Sequence, residues 1–438
     1  MTRIFFSMMI VLCSLSGYAQ QKQIKTYFDA RRTRVKEDYY VSAADGVTPH
    51  GPYRRYNLAG KLEMEGTFDD GKRSGTFYEY DGTGKLVRKI NYQAGLRHGP
   101  VEVYDETGNL VQRAYYENNH LMDSVQSYFD TGKLKSETYM VKGKPEGLVK
   151  EYYPSGVLQK EVTFKNKKAN GPAKTYYPSG SIETEANLTN GIITQYFKTY
   201  YRNSKLESSA LFKSGEEMGD YKYYDSLGHL LLDAHILKGK SHGPSIAYFP
   251  DGVVRHRFQF YMGGKVGTNY QYYHNGEVQS KEVVSRSGLE VTEEDFAETG
   301  KQISEKNFYK SKPHGKWTFY GADGKTLKEV NQYENGKLHG LRVTYHANGK
   351  KATEETYQYN VITGPVRNYY EDGSLQWQCE YRGSRMHGLY TAYHPNGQIK
   401  EQGEYVANKK HKEWKEFDSD GKLVRSQMFS AGILVEPK

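Results

Sequence analysis

The sequence predicts an all-β protein built as an elongated array of β-hairpins, a single-layer antiparallel meander that twists or curves. Three regularities carry that expectation: a 24-residue period from His50 onward, an aromatic at the seventh place of every period, and a glycine at the eleventh. Sixteen blocks align almost without gaps, twelve of them from His50 to His314, and one extra residue after Gly324 moves the others to His339, Thr363, His387 and His411. Self-similarity at such a spacing means stacked units, none of which can bury a core alone.

Each block reads as two strands and two turns. The aromatic and glycine recur as Tyr56 and Gly60, Tyr80 and Gly84, Tyr104 and Gly108, Tyr152 and Gly156, Tyr176 and Gly180, Tyr248 and Gly252. They continue as Tyr345 and Gly349, Tyr369 and Gly373, Tyr393 and Gly397, and Ser204 is the one replacement of the glycine. A polar pair before the glycine, such as Pro154-Ser155 or Pro395-Asn396, marks a tight reversal at positive φ. Beyond it an aliphatic such as Leu62, Leu158 or Ile399 and, six residues later, Phe68, Phe164 or Tyr405 lie on one parity, with charges such as Lys89, Glu161 and Glu185 on the other. That is a strand with one buried and one wet face.

The first half of a block, as in Lys316–Tyr320, is rich in β-favouring aromatics. Its apolar fourth and seventh places break strict alternation, which predicts either a bulge or a ring at the mouth of the turn. A later glycine such as Gly71, Gly95 or Gly336 supplies the second turn. Two strands per block give about 32, each hairpin advances about 10 Å, and the whole extends on the order of 150 Å. Tyrosines and leucines are expected to fill the concave side in place of a second layer.

Composition agrees with an array. Mean hydropathy of −0.84 with 41 Tyr is too polar for several thick aliphatic cores, whereas rings packed through their faces suit a sheet one layer deep. Residues 1–19 read as a secretory signal peptide: Arg3, an apolar run from Ile4 to Leu15, then Ser16-Gly17-Tyr18-Ala19. The run is too short to span a bilayer, and Leu12 before Cys13 does not fit a lipoprotein signal. The chain is expected to be exported, to the periplasm or to the cell surface and exterior. Removal of Cys13 leaves Cys379 alone, so no internal disulfide is expected and Cys379 reads as core.

Residues 20–49 read as an N-terminal cap, with Val35–Val41 as a lone strand, and 421–438 as the C-terminal cap. The formal charge of +9 is interleaved along every block, except for Lys22, Lys25, Arg31, Arg32, Arg34 and Lys36, which face only Asp29. This cluster is a solvated tether or a contact to anionic lipid or wall polymer, hence peripheral membrane association. Nucleic acid is not expected as a partner.

No catalytic, cofactor or metal site is expected. Histidines open seven blocks (His50, His98, His242, His314, His339, His387, His411), but equivalent places about 10 Å apart cannot share one zinc ion, so they read as turn residues that cap backbone or stack on tyrosine. The acidic run Glu290–Glu298 lacks calcium-loop spacing and reads as a divergent solvated repeat or a partner contact. No phosphate loop, nucleophile elbow or Cys-His pairing occurs, which predicts a non-enzyme. The eighth place varies between aromatics and Asp, and variation on a constant frame is where repeat proteins place recognition. Tyr153, Tyr177 and Tyr201 are the candidate platform for a sugar chain or peptide.

Blocks such as Glu146–Leu158 and His387–Ile399 resemble the MORN-repeat variant, the unit of exported 24-residue-repeat proteins that include YwqK-type antitoxins. The resemblance covers the chain from His50 onward. It implies a non-catalytic binding scaffold for protein, glycan or envelope surface, with an edge-to-edge dimer as one assembly. Alternatives are an antitoxin or immunity protein with a cognate toxin, and a wall adhesin resembling choline- or glucan-binding repeats. Asp123, Gln195, Val291 and Lys412 at the second place and Ser204 at the eleventh depart from the pattern and touch local turn geometry.

Overall fold

The computed structural model describes residues 21–435, so the signal peptide expected at 1–19 and the last residues of the C-terminal cap lie outside the described residues. The chain splits into two compact units at Ser204/Lys205, a division that the repeat pattern does not announce. The first unit runs from Lys22–Tyr27 to Ile192–Tyr200 and the second from Leu206–Lys213 to Ile433–Val435. Within each unit successive strands pair antiparallel as a meander of hairpins, four of them interrupted after two residues, at Gly264–Lys265, Lys312–Pro313, Lys337–Leu338 and Val361–Ile362. No helix occurs among the described residues.

Two bulges per block account for the broken alternation. In the block from Glu146, Glu151 pairs with Lys160 and then Tyr152 with Leu158, leaving Gln159 without an opposite. This bulge turns the seventh-place ring into the mouth of the reversal, so both expected causes operate together. The second lies at the opening pair: Val162 faces Ala173 while Phe164 faces Ala169, with Gly171 at φ 112° between. Where Val291 replaces that glycine, Val283 to Val284 pair with Thr292 to Val291 in unbroken register. Glycine suits the positive φ of that bulge, but the bulge persists where Asp123, Gln195 and Lys412 stand at the second place, Lys412 itself at φ 62°. Ser204 keeps the reversal it was expected to disturb, at φ 67° and with its N–H on the Tyr201 carbonyl at 2.9 Å. The extra residue after Gly324 lengthens one turn, closed by Gly321 N–H on the Thr326 carbonyl at 2.7 Å.

Pairing register sorts the side chains into rows across each sheet. On one face, called face A, fourth-place residues stand opposite seventeenth-place residues: Phe77, Ile90, Val101, Ala114, Val125 in the first unit, and Val366, Cys379, Tyr390 in the second. This row is the core, and the leucines and tyrosines expected on this side are covered less. Phe77, Ile90, Ala114, Val162 and Ala186 are buried, while Leu62, Leu158, Tyr80 and Tyr176 are only half-buried. Leucine two places past the turn glycine lies beside the bulge, too close to the sheet margin to be covered on all sides. Cys379 is in the buried row, and burial pushes its thiol up to about 11, which keeps it protonated and inert.

On the opposite face B the neighbouring row is ionic. Lys89, Glu102 and Arg113 stand side by side, as do Glu137, Lys150, Glu161, Lys174, Glu185 and Lys198. Seventh-place hydroxyls donate to the carboxylate of the preceding block: Tyr80 to Glu65 at 2.8 Å, Tyr176 to Glu161 at 2.6 Å, Tyr369 to Glu354 at 2.7 Å. Burial and then those carboxylates push the Tyr80 and Tyr369 hydroxyls up to about 12. At these three places the ring is a bond between repeats, whereas Tyr104 and Tyr128 donate to Glu102 and Gln126 of their own blocks.

The N-terminal cap differs from expectation. Val35–Val41 is paired on both sides, by Lys22–Tyr27 and by Pro49–Tyr56, so the cap is a hairpin and not a lone strand. Part of its basic cluster is balanced within it, Lys25 by Asp38 at 3.6 Å and Arg34 by Asp29 at 3.8 Å.

Two glycines in the core row are complemented by rings. A Cβ on Gly403 would fall 2.1 Å from the Trp414 ring, and one on Gly66 2.6 Å from Phe77. Gly403→Ala should therefore destabilise the last repeats by roughly 1–3 kcal/mol through overpacking. Amide exchange over residues 386–430 will read the loss, and Trp414→Leu in the same chain should recover most of it.

Candidate functional site

The eighth-place residues all belong to the margin of the sheet where hairpins reverse. Tyr153 donates its hydroxyl to the Tyr176 carbonyl at 2.8 Å, Tyr177 to that of Tyr200 at 2.7 Å, and Tyr370 to that of Tyr393 at 2.7 Å. Imidazoles do the same at His346 and His394, each with Nε2 3.0 Å from the carbonyl of the next block's seventh residue. Asp81 and Asp105 instead close their own turn, accepting the N–H groups of residues two and four further on. Variation at this place thus exchanges a bond to the next repeat for a bond within the turn. Among the three platform candidates, Tyr153 and Tyr177 have hydroxyls so committed; the Tyr153 ring, with Phe129, Thr138 and Val149, also lines a pocket of about 450 Å³. Tyr201 occupies the equivalent place in the next block.

The opposite margin is tied as well. The Asn119 N–H meets the Arg97 carbonyl at 2.9 Å while its Oδ1 accepts the Arg97 N–H at 2.8 Å, and Asn408 repeats this on Met386 at 3.0 and 2.7 Å. The block-opening histidines lie along this margin. His339 packs on Tyr359 with ring centroids 4.5 Å apart and His242 on Tyr261 at 5.3 Å. Among the described residues no group of three or more His, Cys, Asp or Glu is placed to hold a metal ion.

Two cavities on face A of the second unit were not anticipated. Four successive strands, Glu216–Tyr224, Leu230–Leu237, Lys240–Tyr248 and Val254–Tyr261, align Tyr221, Ala234, Ser245 and Phe258 in one row and Tyr223, Leu232, Ala247 and His256 in the next. The middle strands present a floor of buried Ala234, Ser245 and Ala247, and the outer strands supply ring walls. The result is a mostly apolar groove of about 800 Å³. His256 lies flat on Phe258, centroids 4.2 Å apart, and burial followed by the nearby Arg255 and Lys265 charges holds its imidazole below the usual range.

Phe258 is also the boundary of a polar pocket of about 260 Å³ lined by Lys265, Asn269, Gln271, Ser280, Glu282, Glu293 and Asp295. Here the core row changes character. Asn269, Glu282, Glu293 and Lys306 stand where other blocks place Val or Ala, and Arg342 with Glu355 follows further on. The charges are paired: Lys265 with Glu282 at 2.9 Å, Lys306 with Glu293 at 3.1 Å and Asp295 at 2.5 Å, and Arg342 with both Glu329 and Glu355 at 2.9 Å. The acidic run at 290–298 is thus a strand whose Glu293 and Asp295 bond on face A and whose Glu294 meets Lys281 at 2.9 Å. Over this stretch buried positions occur on both faces, Asn269, Ser304 and Asn331 on face A and Thr318, Val343 and Glu354 on face B. A comparison of fourth and seventeenth places from block to block would have exposed these polar replacements in the sequence.

Two outcomes follow. Tyr153→Phe and Tyr177→Phe should each cost about 1 kcal/mol, one hydrogen bond, without loss of fold, as urea midpoints will show. Burial alone would raise the Asp295 carboxyl, but Lys306 and Ser304 hold it below its ordinary 3.8. Its stabilising contribution is complete above that ordinary value and is lost as pH falls through the lower folded value. Asp295→Asn should flatten the acid limb of the stability–pH curve of the second unit.

Seven segments, residues 49–70, 73–94, 97–118, 145–166, 169–190, 338–359 and 386–407, match the MORN repeat variant. No curated protein matches. Solved structures that align include a TcdB2-TccC3 crystal structure, 12% identical over 95% of this chain and 27% of that one with TM-score 0.15. A TcdB2-TccC3-Cdc42 structure is 13% identical over 92% and 23% with TM-score 0.13, and the Photorhabdus luminescens Tc holotoxin pore 10% over 91% and 27% with TM-score 0.13. This chain spans about a quarter of such chains, and superpositions that loose have no bearing on its activity. The period, the paired turns and the family match converge: the chain carries MORN-variant repeats at these seven segments, within a tandem array of the same period.

Proposed function

We propose that the chain is a non-catalytic scaffold of the envelope that holds a protein partner on the charged band of face A in its second unit. The observation that carries this reading is the replacement of core-row Val and Ala by Asn269, Glu282, Glu293 and Lys306. Ion pairs on a sheet face cost desolvation, and apolar side chains of similar size usually stabilise as well or better. Charges kept in such a row therefore point to recognition, where they set register and reject wrong partners. A scaffold rather than an enzyme is supported by the same pairing: Glu282, Glu293 and Asp295 are all bonded to lysines, and Asp295 is held ionised, the reverse of what a general acid requires. Placement at the envelope rests on the sequence of residues 1–19.

The test is capture from envelope extract by wild-type chain and by the Glu282→Ala, Glu293→Val, Lys306→Ala variant. The variant should keep its β circular dichroism, with urea resistance lowered because Lys265 and Asp295 lose their counter-ions, yet lose the partner. A partner retained by that variant but lost on replacing Tyr153, Tyr177 and Tyr201 by Ala would move the contact to the ring platform of the first unit and end this assignment.

A further inference from the structure

The apolar groove beside the charged band has its own chemistry. Two other small core-row residues lie under a ring, Gly66 under Phe77 and Gly403 under Trp414. At Ala234, Ser245 and Ala247 the adjacent rings stand as walls instead, and about 800 Å³ stays open between them. From the strand of Tyr221 to that of Phe258 are three strand spacings, about 14 Å, room for a flat ring or an alkyl chain. The volume falls within the usual 300–1,000 Å³ of small-molecule sites.

The polar groups narrow the class of occupant. A sheet face offers no backbone N–H or C=O, since those are consumed within the ladder, so an extended peptide laid here would bury its own amides without partners. A body that needs few hydrogen bonds is favoured. Among the lining residues the one full charge is Arg255, exposed at the rim, with no acidic partner among the described residues. The geometry points to a binding site for an amphipathic monoanion: an aromatic or aliphatic body between the Tyr221 and Phe258 walls, with a single carboxylate or sulfonate on Arg255.

The test is titration of the purified chain with 1-anilinonaphthalene-8-sulfonate and with its uncharged counterpart N-phenyl-1-naphthylamine, followed by fluorescence and calorimetry. Saturable one-to-one binding of the sulfonate is expected, with displacement by decanoate at lower concentration than by decanol. Arg255→Gln, a change at an exposed side chain, should weaken the sulfonate about tenfold, the worth of one charge-assisted bond, and leave the neutral dye unchanged. Ala234→Leu, which fills the floor, should remove both dyes while circular dichroism stays that of the wild type. Dye binding indifferent to Ala234→Leu, or equal response of both dyes to Arg255→Gln, would overturn the proposal. No partner protein is involved, so the result is independent of the scaffold reading.

Discussion

The constraint behind the whole structure is that no hairpin here can be stable alone. Its apolar side is a row one residue deep, and two such strands in water are marginal at best. Stability must come from the next hairpin, which completes the backbone ladder on the open edge and lays its own fourth-place residue against the exposed seventeenth. What makes this association specific is the bonding at the margins. At one side a Tyr or His at the eighth place reaches the next block's carbonyl; at the other an Asn or Gly amide returns to the previous turn. The spacing of those contacts is the reason that the period admits almost no insertion.

From that constraint follows a division of labour among the aromatics. Seventh-place tyrosines such as Tyr80 and Tyr176 join consecutive blocks through carboxylates on face B, and eighth-place rings join them through carbonyls at the margin. Neither set is available to define a site by itself. What remains free to vary without loosening the array is the composition of a row, and the second unit uses this freedom twice, by shrinking residues to open a groove and by substituting charges to form a polar pocket.

The array, its turns and the alternation of wet and buried positions were legible from the Tyr56–Gly60 type of spacing, because backbone demands on glycine and aromatic repeat without exception of consequence. The identity of the core was not. Reading along one strand, Leu62 and Tyr80 stand out by size, yet burial depends on what lies opposite, and only the register shows that Phe77, Ile90 and Ala114 share a row. The groove was hidden for a related reason: Ala234 and Ala247 are unremarkable in sequence, and their meaning arises from Tyr221 and Phe258 on the strands that flank theirs. At Tyr153 and Tyr177 the variable eighth place also serves turn closure between repeats, a role that the sequence alone did not separate from recognition.

The ionic row on face B has a consequence for errors of assembly. In residues 137–198 cations and anions succeed each other strand by strand. A strand that mispaired with its next neighbour but one would set Lys against Lys or Glu against Glu, a like-sign contact that opposes the mistake. Omission of an entire hairpin restores opposite signs and meets no such opposition. The same arithmetic that tolerates skipping a unit also tolerates adding one, so gene duplication can lengthen this chain by 24 residues at a time without disturbing its electrostatics.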